Sequence, residues 1–247
     1  MKVSIITVVH NNASTIKNAI ESVINQSYQN IEYIVVDGAS TDGTIEIISN
    51  YKNQIAHLIS EPDTGIYNAI NKGIKLATGD IVGILNSDDF FCSNTIIERV
   101  VKEFLKDNID AVYGDVQFVN PNKENKITRY YSSKRFNPNM FKYGFMPAHP
   151  SFYVKRSFFN ELGYYKETYK IGADFELLLR FLLKNNLNAK YLEMPFVTMR
   201  TGGISNRSYK SNLLLNREIL KACRENNVKT NLINIYSKYF IKAFEFI

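Results

Sequence analysis

Cysteine is nearly absent from this 247-residue chain: only Cys92 and Cys223 occur, far apart and without a metal-ligand spacing. That excludes a disulfide framework and a cysteine-based zinc site, and it fits a reducing cytoplasm. No apolar run approaches the length that spans a bilayer. The apolar start, Val3 to Val9, is too short for a secretory core and runs into His10-Asn11-Asn12, so no leader is expected. Internal repeats and low-complexity segments are lacking as well, which excludes a solenoid. Also missing is a glycine-rich phosphate loop with a basic signature after the first strand.

What is present is enough for a substantial core, since 45% of the residues are hydrophobic. The net charge of +6 is unevenly spread. Residues 1–183 carry 19 Lys and Arg against 20 Asp and Glu, whereas residues 184–247 carry 11 against 4, a net of +7. The excess suits an anionic surface such as a membrane leaflet, or a diphosphate-bearing substrate. Nucleic acid is not expected as a partner, because the basic residues form no recognisable binding module.

Lys2 to Val9 and Ile31 to Val36 are β-branched apolar runs of the kind buried in a parallel sheet. Between them Ser14 offers an N-cap to a helix with Ile16, Ile20, Val23 and Ile24 on one face. Asp37-Gly38-Ala39-Ser40-Thr41-Asp42-Gly43 is a turn where backbone can approach a ligand, with Asp42 capping a helix over 43–50. A third strand is expected over 55–60 and a helix from Ile66 to Ala77, before Asp80 opens another strand. This alternation calls for right-handed crossovers and a largely parallel sheet with helices on both faces, an α/β fold. A helix over 94–106, a strand over 111–119 and a turn at 120–123 leading to Ile127–Tyr131 follow.

The strand Ile81-Val82-Gly83-Ile84-Leu85 runs directly into Asn86-Ser87-Asp88-Asp89. Buried parallel strands deliver ligand-binding residues at their carboxyl ends, and paired carboxylates there suit a hard divalent cation carrying a phosphorylated ligand. A solvated acidic turn is the plainer alternative.

In order along the chain stand Val3-Ser4-Ile5-Ile6-Thr7 with His10-Asn11, Val35-Val36-Asp37-Gly38-Ala39-Ser40-Thr41-Asp42-Gly43-Thr44 and Glu61-Pro62-Asp63-Thr64-Gly65-Ile66-Tyr67-Asn68-Ala69-Ile70-Asn71-Lys72-Gly73. Asn86-Ser87-Asp88-Asp89 and Ala173-Asp174-Phe175-Glu176-Leu177 complete the set. Over roughly the first 205 residues this ordered set resembles the family 2 glycosyltransferases of the GT-A fold, inverting enzymes of the bacterial surface-polysaccharide type. The resemblance implies a Rossmann-like, mostly parallel sheet over residues 1–205, with a nucleotide-sugar-binding half (1–110) and an acceptor half (111–205), and a basic amphipathic helical extension over 206–247. It implies that Asp89 coordinates Mn2+ or Mg2+ bridging the donor's phosphates, with Asp88 nearer the ribose or donor sugar. Asp37 falls where the family reads the base, and a carboxylate can accept from the imino N–H of uracil. Gly38 stands where a second acid is commoner. His10 matches a position that often stacks on the base, while Asp63 and Lys72 lie in a motif that contacts ribose or phosphate. Asp174 matches the general base, and locally it also reads as the N-cap of a helix through Leu177, Leu178, Phe181 and Leu182. Glu176 and Arg180, four apart, read as a surface ion pair. His149 resembles a histidine near the substrate, and Gly202-Gly203 a mobile lid over the diphosphate.

Two basic helices are expected at the end, over 208–226 and 231–247, the second with a polar stripe of Asn234, Lys238, Lys242 and Glu245 beside a wide apolar face. Core, a homodimer partner or a membrane surface could cover that face. The expected function is transfer of one sugar, with inversion, from a UDP-linked donor to an oligosaccharide or polyprenyl-diphosphate-linked acceptor in O-antigen or capsule assembly. The expected place is the cytoplasm, peripheral at the inner face of the cell membrane. The rivals are an idle nucleotide-sugar-binding scaffold, against which Asp88, Asp89 and Asp174 argue, and a sugar-phosphate nucleotidyltransferase, against which the missing phosphate loop argues.

Overall fold

The computed structural model describes residues 1–106, 108–121, 123–201 and 209–242. The first strand, β1 (Val3–Val9), is buried at all seven positions. All but one of its side chains are β-branched, which suits a strand covered on both faces. It pairs in parallel with β2 (Ile31–Asp37) on one side and β4 (Ile81–Ile84) on the other, with Val9 level with Asp37. β3 (His57–Ser60) lies parallel outside β2, its Ser60 level with Asp37. Parallel neighbours need crossovers, and α1 (Ile16–Ile24), α2 (Thr44–Ser49) and α3 (Ile66–Leu76) supply them.

Strand alternation sends Ile6, Val8, Ile34 and Val36 to one face of the sheet and Val3, Ile5, Val9 and Val35 to the other. Tyr67, Ile70 and Ile74 of α3 cover the first face. The second is covered by Ile16, Ile20 and Val23 of α1, and by Ile97, Val100 and Phe104 of α4 (Ile96–Phe104).

Beyond β4 the sheet becomes mixed. β4 runs antiparallel to β8 (Tyr153–Lys155), β8 antiparallel to β6 (Ala111–Asn120), and β6 parallel to β9 (Ala189–Arg200). β7 (Lys123–Tyr131) folds back on β6, and the short β5 (Phe90–Phe91) closes on β9. Two reversals restore the direction, so β6 and β9 end at the same edge as β1 to β4. Among the described residues the strands form one sheet in the order β3-β2-β1-β4-β8-β6-β9-β5.

Local details differ from expectation at several points. Thr15, not Ser14, is the N-cap of α1, and its hydroxyl donates to the Ser87 carbonyl over 2.9 Å. Gly43, with φ +93°, is the N-cap of α2, although Asp42 Oδ1 does accept from Thr44 N at 3.1 Å. Glu176 and Arg180 form no surface pair: Glu176 is wholly buried, and Arg180 Nη2 reaches its Oε2 at 2.9 Å and donates to the Tyr164 carbonyl, while Nη1 donates to the carbonyls of Leu162, which ends α5 (Ser157–Leu162), and Gly163. Four-residue spacing sets the pair, but the covered face of α6 (Ala173–Leu178) and the π-helical turn that extends it over Leu179–Lys184 decide its burial.

The C-terminal helices α7 (Tyr209–Glu225) and α8 (Leu232–Lys242) share the core beneath α3 and α6, contributing Ile219, Ala222, Cys223 and Ile235. The expected outward stripe on α8 is inverted at Lys238, which is 3% exposed, while Ile233 is 81% exposed beside exposed Leu232, Tyr236 and Tyr239. Residues Ala243, Phe244, Glu245 and Ile247 of the expected helix lie outside the described residues.

One buried carboxylate ties the opposite edge together. Glu32 of β2 accepts from Lys2 Nζ (2.7 Å), Ser4 Oγ (2.6 Å), Thr78 N (2.7 Å) and Thr78 Oγ1 (2.6 Å). Burial pushes its pKa up, but these donors outweigh that and hold it at about 2 instead of 4.5. Stability from a lowered carboxyl is present above pH 4.5 and is lost as pH falls towards 2. Urea unfolding should therefore show Glu32→Gln to be about 2–3 kcal/mol less stable at pH 7, with a shallower acid loss than the parent. Equal stability at pH 7 would refute the assignment.

Candidate active site

The ends of β1, β2 and β3 bring His10, Asp37 and the 61–65 loop together. Asp37 is fully buried, and its carboxylate is occupied locally: Oδ1 accepts from Ser40 Oγ (2.5 Å), and Oδ2 from Ser40 N (3.1 Å) and Ser60 Oγ (2.7 Å). It fixes the turn after β2 and ties it to β3. His10 Nδ1 donates to the Gly38 carbonyl over 2.9 Å, which sets its tautomer. A Cβ on residue 38 would stand 2.5 Å from Asp63 Oδ2 and 3.2 Å from His10 Nδ1. The glycine that replaces the commoner second acid thus makes room for the carboxylate of Asp63. Lys72 bridges back to the same loop, with Nζ 2.7 Å from Glu61 Oε1 and donating to the Pro62 carbonyl at 3.1 Å.

After β4, the turn carrying Asp88 and Asp89 is held from two sides. Asn12 Nδ2 donates to Ser87 Oγ at 2.9 Å, and Arg200, ending β9, donates from Nη1 to the Asp88 carbonyl at 2.6 Å with its guanidinium 5.0 Å from the Phe90 ring centroid. Asp89 is 1% exposed and receives Asn86 Nδ2 at 3.2 Å. Burial, and then the charge of Asp88, push its carboxyl well above the usual range, while Asn86 and Arg200 pull the other way. Among the described residues no group of three or more His, Cys, Asp and Glu forms a ready-made metal cage. A hard cation held by one or two carboxylates and completed by phosphate oxygens and water fits this donor set, and it would relieve two adjacent acids of which one is desolvated.

Across the edge, α6 presents Asp174 in its first turn. Gly172, not Asp174, is the N-cap, and Asp174 Oδ1 accepts from Phe175 N at 2.8 Å. Burial lifts its carboxyl to about 6, eased by that N–H and reinforced by the charge of Glu218. Tyr67, at the start of α3, donates to the Ile171 carbonyl and stacks on Tyr165 at 5.9 Å. The Tyr165 hydroxyl lies 2.6 Å from Nε2 of His149. Burial lowers the His149 pKa to about 4, so this imidazole is neutral at pH 7. Both tyrosines feel the charge of Asp174.

Sequence reasoning missed Arg200, Tyr67, Tyr165 and Glu218 as site residues. Tyr67 stood within a quoted motif, and Arg200 ends an apolar run beside the expected lid. Nothing marked the other two. Gly202 and Gly203 lie outside the described residues.

The description "Glycosyl transferase family 2" matches residues 4–163. A PGL/p-HBAD biosynthesis glycosyltransferase of Mycobacterium bovis is 27% identical over 224 residues, covering 88% of this chain and 82% of that protein. An uncharacterized glycosyltransferase of Rickettsia typhi is 30% identical over 186 residues, 73% of this chain and 58% of that protein. Among solved structures, S. aureus TarS 1–349 in complex with UDP-GlcNAc superposes with a TM-score of 0.69 at 20% identity, over 95% of this chain and 69% of that one. The mannosyltransferase PcManGT from Pyrobaculum calidifontis, in complex with GDP-Man and Mn2+, gives 0.63 at 20% identity, over 91% and 63%. A longer TarS structure is covered over 40% of its length. With the motif order, the strand-end site and the family match in agreement, the chain belongs to glycosyl transferase family 2 and is a glycosyltransferase of the GT-A fold.

Proposed function

We propose that the protein transfers one sugar, with inversion, from a UDP-linked donor to a hydroxyl of an oligosaccharide or polyprenyl-diphosphate-linked acceptor in surface-polysaccharide assembly. The observation that carries this reading is Asp174, a carboxylate lifted to about 6 at the start of α6 and therefore ionised at pH 7 yet basic enough to accept a proton. The acceptor oxygen attacks the anomeric carbon from the face opposite the departing diphosphate as Asp174 takes its proton. One displacement inverts the centre.

Asp89, with Asp88 beside it, would hold Mn2+ or Mg2+, and that cation would offset charge on the leaving diphosphate. His10 and Asp63 flank the base and ribose, Lys72 orients the loop that carries Asp63, and Asp37 braces the turn beneath them. His149, neutral and fixed by Tyr165, lines the donor-sugar or acceptor side. Gly202 and Gly203 are assigned to a lid. TarS bound to UDP and UDP-GlcNAc supports a uridine nucleotide, and PcManGT bound to GDP-Man and Mn2+ supports the cation. No helix among the described residues is long and apolar enough to cross a membrane. The net +7 over residues 184–247 and the outward Leu232, Ile233, Tyr236 and Tyr239 support contact between α8 and an anionic membrane surface, where a lipid-linked acceptor would lie.

Calorimetry should show UDP binding strengthened by Mn2+ or Mg2+ and weakened by Asp89→Ala. Even outer-shell changes cost about 10–100-fold in metal affinity, so loss of a ligand should cost at least that. Equal UDP affinity with chelator present would rule out the cation.

Asp174→Asn should lower kcat by about 10²-fold or more with UDP affinity retained. Because only the ionised carboxylate accepts a proton and its pKa is raised to about 6, parent activity should fall as pH drops through 6. Full transfer by a folded Asp174→Asn protein would sink the base assignment.

Ile233→Asp leaves the core untouched, since the side chain is 81% exposed. Burying an isoleucine contributes about 1.5–3 kcal/mol, so sedimentation with anionic liposomes should weaken by about tenfold or more while UDP binding is unchanged. Indifference of the parent to such liposomes would exclude the membrane contact.

A further inference from the structure

The carboxylate of Glu218, on α7, is spent entirely on the backbone just ahead of Asp174. Its Oε1 accepts from Lys170 N at 2.8 Å, and its Oε2 from Ile171 N at 2.9 Å and Gly172 N at 2.8 Å. Glu218 is 7% exposed, so these three bonds form out of water, where a charge-assisted bond is strongest. Three successive N–H groups leading into a helix have no intrahelical acceptor, and a single carboxylate satisfies them all. Room for it depends on Gly172, where a Cβ would stand 3.1 Å from Glu218 Cβ and 3.2 Å from Oε2.

The same helix, with the residue that follows it, reaches both sides of Asp174. Asn226 Nδ2 donates to Glu176 Oε1 at 3.2 Å, and Glu225 accepts from Tyr169 at 2.9 Å and from Lys166 at 2.8 Å. From the opposite direction, the Tyr67 hydroxyl holds the carbonyl of Ile171. Residues on both flanks of Asp174 are therefore fixed by an element that lies outside every motif of the family pattern.

We propose that Glu218 is a positioning residue of the transfer reaction: by gathering the N–H groups of Lys170, Ile171 and Gly172 it sets the start of α6 and so the placement of the Asp174 carboxylate. The inference rests on the reading of Asp174 as the base. Glu218 also faces Asp174 electrostatically and disfavours its ionisation. The other titratable groups around Asp174 are Tyr67 on α3, Tyr165 with His149 behind it, Lys170 on the lead into α6, and the Glu176–Arg180 pair with Lys166.

The test compares Glu218→Gln and Gly172→Ala with the parent and with Asp174→Asn, by circular dichroism, UDP calorimetry and transfer kinetics across pH. Glu218→Gln removes the charge and one acceptor oxygen. Misplacing a reacting group by about 1 Å costs on the order of 10²-fold, so kcat should fall tenfold or more with UDP affinity within about twofold of the parent. The acid limb of kcat, near 6 in the parent, should move to lower pH because the charge opposing Asp174 ionisation is gone. Gly172→Ala crowds the same carboxylate but keeps its charge, so it should lower kcat and leave the limb near its parental pH; it decides the matter if Glu218→Gln does not fold. In the Asp174→Asn background, Glu218→Gln should add nothing. If Asp174→Asn abolishes transfer while folded Glu218→Gln keeps the parental kcat and acid limb, the positioning role alone is overturned. Full transfer by Asp174→Asn overturns the base assignment and this inference with it.

Discussion

A carboxylate withdrawn from water must be given donors or a counter-ion, and the way this chain meets that demand separates its framework from its chemistry. Glu32 takes four donors, Asp37 three, and Asp115 is surrounded by the hydroxyls of Tyr130 and Tyr191 and the N–H of Ser133. Glu176 is paired with Arg180 and Lys166, and Glu218 takes three amides. These five are structural, and each joins segments distant in sequence. Asp89, with the Asn86 amide and the Arg200 backbone N–H as donors, and Asp174, with backbone N–H groups alone, are nonetheless pushed upward by burial. Carboxylates left raised in this way fit the roles proposed for them, cation ligand in one case and proton acceptor in the other.

Much of the N-terminal half was legible because parallel strands covered on both faces are written as unbroken apolar runs. Val3–Val9 and Ile31–Asp37 are of that type, and the site residues sit where those runs stop. Beyond β4 such text is sparser. β5 has two residues and β8 three, too short for any periodicity, and they exist because β9 on one side and β4 with β6 on the other supply partners. The N-cap of α6 was misread by two positions because Asp174 is a strong capping residue by type, whereas the chain uses Gly172 and brings in a distant carboxylate for the same amides. Glu176–Arg180 has surface spacing, but periodicity does not report what lies opposite a helix face. Glu218 carries no local signal at all; in a basic amphipathic helix it reads as a solvated acid.

Gly38 stands where the family resemblance leads one to expect a second acid. With Gly38 in place, the carboxylate of Asp63 occupies the volume that a side chain at 38 would fill, and His10 caps the Gly38 carbonyl beside it. A residue of one motif thus fills the space left beside a glycine of another. Reading each motif separately hides this, since the two positions are 25 residues apart and meet only through the register of β2 and β3.

The Ile171–Gly172 peptide is held at both ends, its carbonyl by Tyr67 and its N–H, that of Gly172, by Glu218. Tyr67 belongs to α3, which begins directly after the loop bearing Asp63, so that loop and the lead into Asp174 are joined through one peptide unit. A joint pinned on both sides transmits displacement and does not absorb it. A rotation of α3 about its own start would therefore bear directly on the backbone that opens α6.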